Sequence, residues 1–227
     1  MENNIAVPAA SPVPVADHPD HHLPLGLRTP LRPDAFDQSN DQKIAAIAGH
    51  FRAIMEELGL DLTDDSLAGT PKRVAKMFVQ EWFNGLDPAQ RPEVRLFENR
   101  YNYQQLLVER DITVFSCCEH HFVPIVGKAH VAYLPGKHVV GLSKLNRVVQ
   151  YYARRPQVQE RLTRQIAEHL RQSLGTDDVA VLIEADHLCV MSRGVNDTSS
   201  STITSEYGGK FLEDSTLRND FLRQIGM

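Results

Sequence analysis

Cys118-Glu119-His120-His121 and, some seventy residues later, Asp186-His187-Leu188-Cys189 make the strongest demand on how this chain folds. Thiolates and imidazoles gathered in this way suit a zinc ion with three protein ligands and a fourth position for water, the arrangement of an enzyme and not of a zinc-stapled scaffold. Cys118 and His121 form a C-x2-H pair that a tight turn can present to one ion. His187 and Cys189, two apart in an expected strand, would share a face. Spacing alone leaves open whether His120 or His121 is the ligand. The chain has only three cysteines. An odd number does not make a disulfide framework, so a reducing compartment and metal or catalytic roles fit better. Cys117 reads as a small buried residue.

The remaining chemistry is anionic recognition. A formal charge of −5 argues against a general nucleic-acid binder, so an anionic substrate needs a local basic cluster. Ser143-Lys144-Leu145-Asn146-Arg147 opens a predicted helix, which puts Lys144 and Arg147 one turn apart beside helix-start amides that favour anions. Arg193 follows Cys189 by four residues, and Arg73 and Lys76 make another i, i+3 pair. Each pair is also what an exposed, solvated helix face looks like. Gln159-Glu160-Arg161 reads equally as a charged helix start, favoured by the helix dipole, or as a carboxylate placed to accept the N1–H and amine of guanine.

Of thirteen prolines, seven lie between Pro8 and Pro33, where apolar periodicity is absent. Residues 1–38 therefore read as a disordered tail, and His18, His21 and His22 as solvated. Residues 39–108 read as a helical segment. One helix is expected from an Asn40 or Asp41 cap to Gly59, with Ile44, Ile47, Phe51, Ile54 and Leu58 on one face. Another is expected from Thr70-Pro71 to Asn84-Gly85. Residues 109–227 switch to strands at 112–115, 127–134 and 179–184, with a shorter one at 188–191. Two helices, from Ser143 and from Val158, lie between, and a last short helix runs from Leu217 to Ile225. Hairpin, helix pair, hairpin is an α+β order. There is no secretory signal and no apolar run long enough for a bilayer, which predicts a cytoplasmic protein with no membrane partner.

Four long motifs together resemble the GTP cyclohydrolase I family: Ser116 to Phe122, Gly141 to Arg147, Arg154 to Leu162, and His187 to Gly194. The Thr70-Pro71-x-Arg73 segment is similar too, and the resemblance spans roughly residues 41–225. It implies a T-fold, an antiparallel sheet with two helices on one face, preceded by a helical segment. It also implies a homodecamer of two pentamers with active sites at subunit boundaries. On these motifs the zinc ligands would be Cys118, His121 and Cys189, with His120 and His187 moving protons. Gln159 and Glu160 would recognise guanine, and Ser143 would lie near the ribose. Lys144, Arg147 and Arg193, with Arg73 and Lys76, would hold the triphosphate. The implied reaction hydrolyses the imidazole ring of GTP, releases formate and yields 7,8-dihydroneopterin triphosphate. Two other readings remain: a T-fold nitrile reductase with a cysteine nucleophile, and a zinc-stabilised nucleotide-binding regulator without turnover.

Overall fold

The computed structural model describes residues 18–227, so the first seventeen residues of the expected tail lie outside it. The chain divides into two compact units between Lys76 and Met77.

In the first unit, residues 18–38 are not the patternless tail that their proline content suggested. His18 Nε2 donates to Thr29 O (2.9 Å), and His18 Nδ1 accepts from Asp20 N. Asp20 Oδ2 takes both the amide and the hydroxyl of Thr29. His18, Asp20, Leu23 and Leu27 are buried. Local side-chain to backbone bonds thus order a segment that periodicity could not reveal. α1 (Asn40–Glu57) follows, capped by Ser39 and not by Asn40 or Asp41. The Ser39 hydroxyl accepts from Gln42 N while the Gln42 side chain accepts from Ser39 N. Of the expected apolar stripe only Ile44 is buried, joined by Met55, whereas Ile54 and Leu58 are exposed. Two short helices, α2 (Asp65–Ala68) and α3 (Thr70–Met77), complete the unit, the first of them unpredicted.

The second unit opens with a π-helical turn, Phe78–Trp82, where a continuous helix was expected. Its sheet contains β2 (Leu107–Cys118), β3 (Pro124–Tyr133), β5 (Pro156–Gln157), β6 (Val179–His187) and β7 (Thr202–Tyr207), in the order β5-β2-β3-β6-β7. All pairings are antiparallel except the parallel edge of β5 on β2. A separate pair joins β1 (Leu96–Glu98) to β4 (His138–Val140). α4 (Leu142–Ala153) packs on β2 and α5 (Gln159–Leu174) on β6 and β7, with the two helices touching. This is the expected layout of a sheet carrying a helix pair on one face. Alternation explains it: Ile112, Val114, Ala129, Val131, Val181 and Ile183 point inward against Leu145, Val149, Leu162 and Ile166, all buried. Each valine, leucine or isoleucine side chain so removed from water contributes about 1.5–3 kcal/mol. At Gly127 an added Cβ would collide with Glu184 O and with Ala185 of the neighbouring β6, so only glycine fits there. On the opposite face α7 (Lys210–Glu213) and α8 (Ser215–Ile225) close Phe211 and Phe221 over Ala132, Ala180 and Leu182. Elsewhere on that face Phe115, Val126 and Ile203 are exposed, with the Trp82 ring 5.5 Å from that of Phe115. The expected strand at 188–191 is instead a short helix, α6 (Leu188–Met191).

A buried histidine holds the irregular end of β2. The register slips between Glu109 and Ile112, and Asp111 takes a positive φ of 58°. Its amide donates to His130 Nδ1 (3.3 Å). Burial lowers the His130 pKa below the ordinary histidine value, opposed by the Asp111 and Glu184 carboxylates and assisted by Lys128 and Arg110. The unfolded chain therefore takes up this proton first. The contribution is fully present above about pH 6.5 and is lost as pH falls through the lowered folded value. His130→Asn keeps an acceptor for the Asp111 amide but does not titrate. Its melting temperature should fall less steeply than wild type between pH 7 and 5, and parallel slopes would exclude His130 as the source.

Candidate functional site

The cluster is assembled at the ends of two paired strands. β2 ends at Cys118, and a tight turn follows in which Cys118 N donates to Val123 O and Phe122 N to Cys118 O, with Phe122 at φ 53°. β6 ends at His187, paired with Ile125 of β3, and α6 then curls Cys189 back over the turn. Donor atoms of Cys118, His121 and Cys189 all lie within 4.8 Å of one another. His120 Nδ1 also lies 3.8 Å from Cys118 Sγ, as does His121 Nδ1. Among the described residues only the set with His121 brings imidazole and both thiols together. His187 and Cys189 do not share a strand face as expected. The chain turns helical at Leu188, and the helical turn carries the second thiol to the first.

Burial acts on two of the thiols. Burial, assisted by the neighbouring Cys118, pushes the Cys117 thiol up to about 11, so it stays protonated at neutral pH. It is 1% exposed, the small buried residue its pattern suggested. Burial and the adjacent Cys118 thiol also raise Cys189, which is only partly covered. A dication bound by the Cys189 sulfur would invert that preference and deprotonate the thiol.

Around the cluster lie several expected partners. Arg193 Nη1 is 2.7 Å from His121 Nε2. The His187 ring approaches Gln159 at the head of α5, with Nε2 2.7 Å from Gln159 Oε1. The Gln159 amide nitrogen is committed to Ile183 O, Thr202 O and Thr204 Oγ1. That side chain is therefore buried and occupied in orienting His187, while Glu160 beside it is exposed. Burial lowers the His187 pKa, against the opposing charges of Glu160 and Asp186, and keeps the ring neutral at neutral pH.

Three other expected residues are not brought to the cluster within one chain. Ser143, Lys144 and Arg147 occupy the start of α4, whose Asn146 is bonded to Glu109 (3.0 Å) at the far end of β2. Nine residues of strand, on the order of 30 Å, separate Glu109 from Cys118. Along the helix, Lys144 lies about 15 Å from Arg154, beyond which Ser116 bonds Arg155 O. Arg73 and Lys76 belong to α3 in the first unit, where the Arg73 guanidinium bonds Ser66 O and the Thr70 hydroxyl. Sequence reasoning assigned no role to Glu119 and Arg161, which form an ion pair here. An acidic residue directly after a ligand cysteine was the available signal.

The sequence model of GTP cyclohydrolase I matches residues 47–226. The chain belongs to the GTP cyclohydrolase I family. Among relatives, GTP cyclohydrolase 1 of Flavobacterium johnsoniae is 56% identical over 206 residues, covering 91% of this chain and 92% of that protein. GTP cyclohydrolase 1 of Escherichia coli O1:K1 is 52% identical over 200 residues, covering 88% and 90%. The four motifs that carried the resemblance to this family all fall inside the matched region. Among the described residues no helix is long and apolar enough to cross a membrane.

Proposed function

We propose that this chain is a zinc-dependent GTP cyclohydrolase. It opens the imidazole ring of GTP, releases C8 as formate and forms 7,8-dihydroneopterin triphosphate, the first step of tetrahydrofolate and pterin biosynthesis, in the cytoplasm. The observation that carries this reading is the Cys118–His121–Cys189 triangle with His187 and the exposed Glu160 beside it. Two thiolates and one imidazole suit zinc, which sets sulfur at about 2.3 Å and nitrogen at about 2.0 Å and leaves a fourth position open. Ligand spacings within 4.8 Å close onto such an ion by small side-chain rotations. When bound, zinc supplies Lewis acidity for activating water at neutral pH.

The protein's own groups do the rest. Glu160, at the head of α5, offers two carboxylate oxygens to the N1–H and exocyclic amine of guanine, with Gln159 fixing the neighbouring His187. His187 and His120 give and take protons at the ring nitrogens as the C8 bonds break, a task that imidazoles perform near neutral pH. Lys144, Arg147 and Arg193, with Arg73 and Lys76, clamp the triphosphate, and Ser143 meets the ribose. The clamp does no chemistry but holds the base in a reactive pose.

Because the start of α4 and the metal cluster lie at opposite ends of β2 in one chain, a second copy is needed to bring Ser143, Lys144 and Arg147 to the site. This supports sites at subunit boundaries, as in the homodecamer of two pentamers that the family resemblance implies. Light scattering should then give a mass many times the 25.5 kDa of one chain, and a monomer that turns over GTP would refute shared sites. The direct test is incubation of zinc-replete protein with GTP, assaying formate and the fluorescent oxidised pterin. Absence of both would refute the assignment.

A further inference from the structure

The ligand-bearing end of β2 is held by more than its hairpin with β3. Cys117 and Cys118 pair in parallel with Pro156 and Gln157, the two residues of β5, and Glu119 N donates to Gln157 O (3.0 Å). Two residues after Gln157, α5 begins with Gln159 and Glu160. One guanidinium closes this junction. Arg161, in the first turn of α5, donates from Nη2 to the Glu119 carboxylate and to Pro156 O, and from Nε to Gln157 Oε1 (3.0 Å). Gln157 is fully buried and its amide nitrogen is spent on Tyr152 O and Gln165 Oε1, so the Arg161 fork rests on a fixed base. The Arg161 and Glu119 side chains are 14% and 27% exposed. That places the pair between a solvated surface bridge and a buried one, where geometry is retained.

We propose that Arg161 and Glu119 are positioning residues. The pair locks the turn carrying Cys118 and His121 to the head of α5, and so sets the spacing between the metal ligands and the Gln159–Glu160 pair. The inference rests on the zinc-dependent reading of the site above. Neither residue touches substrate or metal; each acts through the segment it holds. Removing a group that orients metal ligands typically costs about 10–100-fold in metal affinity. A displacement of about 1 Å at reacting groups can cost on the order of 10²-fold in rate.

The test uses the full chain loaded with zinc and reads three quantities: zinc transfer to a competing chelator, kcat against KM for GTP, and melting temperature. Arg161→Met should speed zinc release by roughly tenfold or more. It should lower kcat by roughly 10–100-fold and leave KM within about threefold, because Lys144 and Arg147 of the triphosphate clamp sit on α4 and are not held by Arg161. Arg161→Lys keeps the charge and loses the planar fork, and should fall between the two. Glu119→Gln leaves the bonds to Gln157 and Pro156 in place, so it remains informative if Arg161→Met does not fold. It should move zinc release and kcat in the same direction. Where both fold, the double variant should be little worse than Arg161→Met alone, the signature of a shared interaction. Wild-type zinc release and kcat in Glu119→Gln, with or without a lowered melting temperature, would overturn the proposal, as would effects of the two substitutions that multiply. Failure of the wild type to release formate would instead refute the proposed function, and the zinc-release comparison would still decide the positioning role.

Discussion

Cys189→Ser is expected to purify with less than about a tenth of a zinc ion per chain and to release no measurable formate from GTP. The effect is large because the proposed zinc site has only three protein ligands, whose donor atoms converge within 4.8 Å. A serine hydroxyl is a hard, protonated donor where zinc calls for a soft thiolate, and the two ligands left behind hold the ion weakly. The fold should survive. Cys189 is partly exposed on the four-residue α6, away from the buried side chains between sheet and helix pair. Chelator-stripped wild type and the variant should therefore melt together, which separates loss of metal from loss of structure. Retention of about one zinc per chain in the variant would remove Cys189 from the ligand set.

The parts of this site that were legible in the sequence are those governed by local spacing. Cys118-x2-His121 sits in one turn, so its closeness follows from chain length alone. The helix pair was readable because Leu145, Val148, Val149 and Tyr152, and then Leu162, Ile166 and Leu170, recur at helical intervals and are all buried. Strand cores at 112–115, 127–134 and 179–184 were readable from β-branched runs; in the structure the first extends at both ends, the second begins earlier and ends at Tyr133, and the third runs on to His187. What escaped depends on tertiary context. β7, Thr202–Tyr207, is polar and follows a serine-rich run, so it is a strand because β6 offers it an edge and not because its residues alternate. β1, β4 and β5 are two or three residues long, too short for any period to register.

The error at residues 188–191 has a definite physical origin. Leu188, Val190 and Met191 look like a continuation of β6, but His187 serves as an N-cap and the chain bends into one helical turn. Periodicity cannot distinguish a four-residue apolar strand from a helical turn. The consequence for chemistry is favourable. An extended 187–189 would have put His187 and Cys189 side by side, whereas the turn separates them, sending the thiol to Cys118 and His121 and leaving the imidazole to Gln159. The residue proposed to bind metal and the residue proposed to move protons are thereby separated over a span of three residues.

That separation makes His187→Ala the complementary substitution: about one zinc per chain should remain while turnover falls by about 10²–10⁴-fold, the usual contribution of a positioned acid–base group. The hydrogen bonds dictate which nitrogen does the work. Gln159 spends its amide hydrogens on Ile183 O, Thr202 O and Thr204 Oγ1, so its Oε1 faces the imidazole and accepts from Nε2–H. In the neutral ring that burial favours, Nδ1 is then the basic nitrogen. A ring fixed in one tautomer by a buried amide can take a proton at Nδ1 and return it without reorienting. The Gln159 bonds to β6 and β7 ensure that the amide does not flip to follow the ring. Alanine removes the shuttle but leaves Cys118, His121 and Cys189 untouched, so metal content and rate should part company. Unchanged turnover at full zinc occupancy would exclude His187 from proton transfer. Joint loss of zinc and rate would instead make it a support of the metal cluster, through the same short segment that carries Cys189.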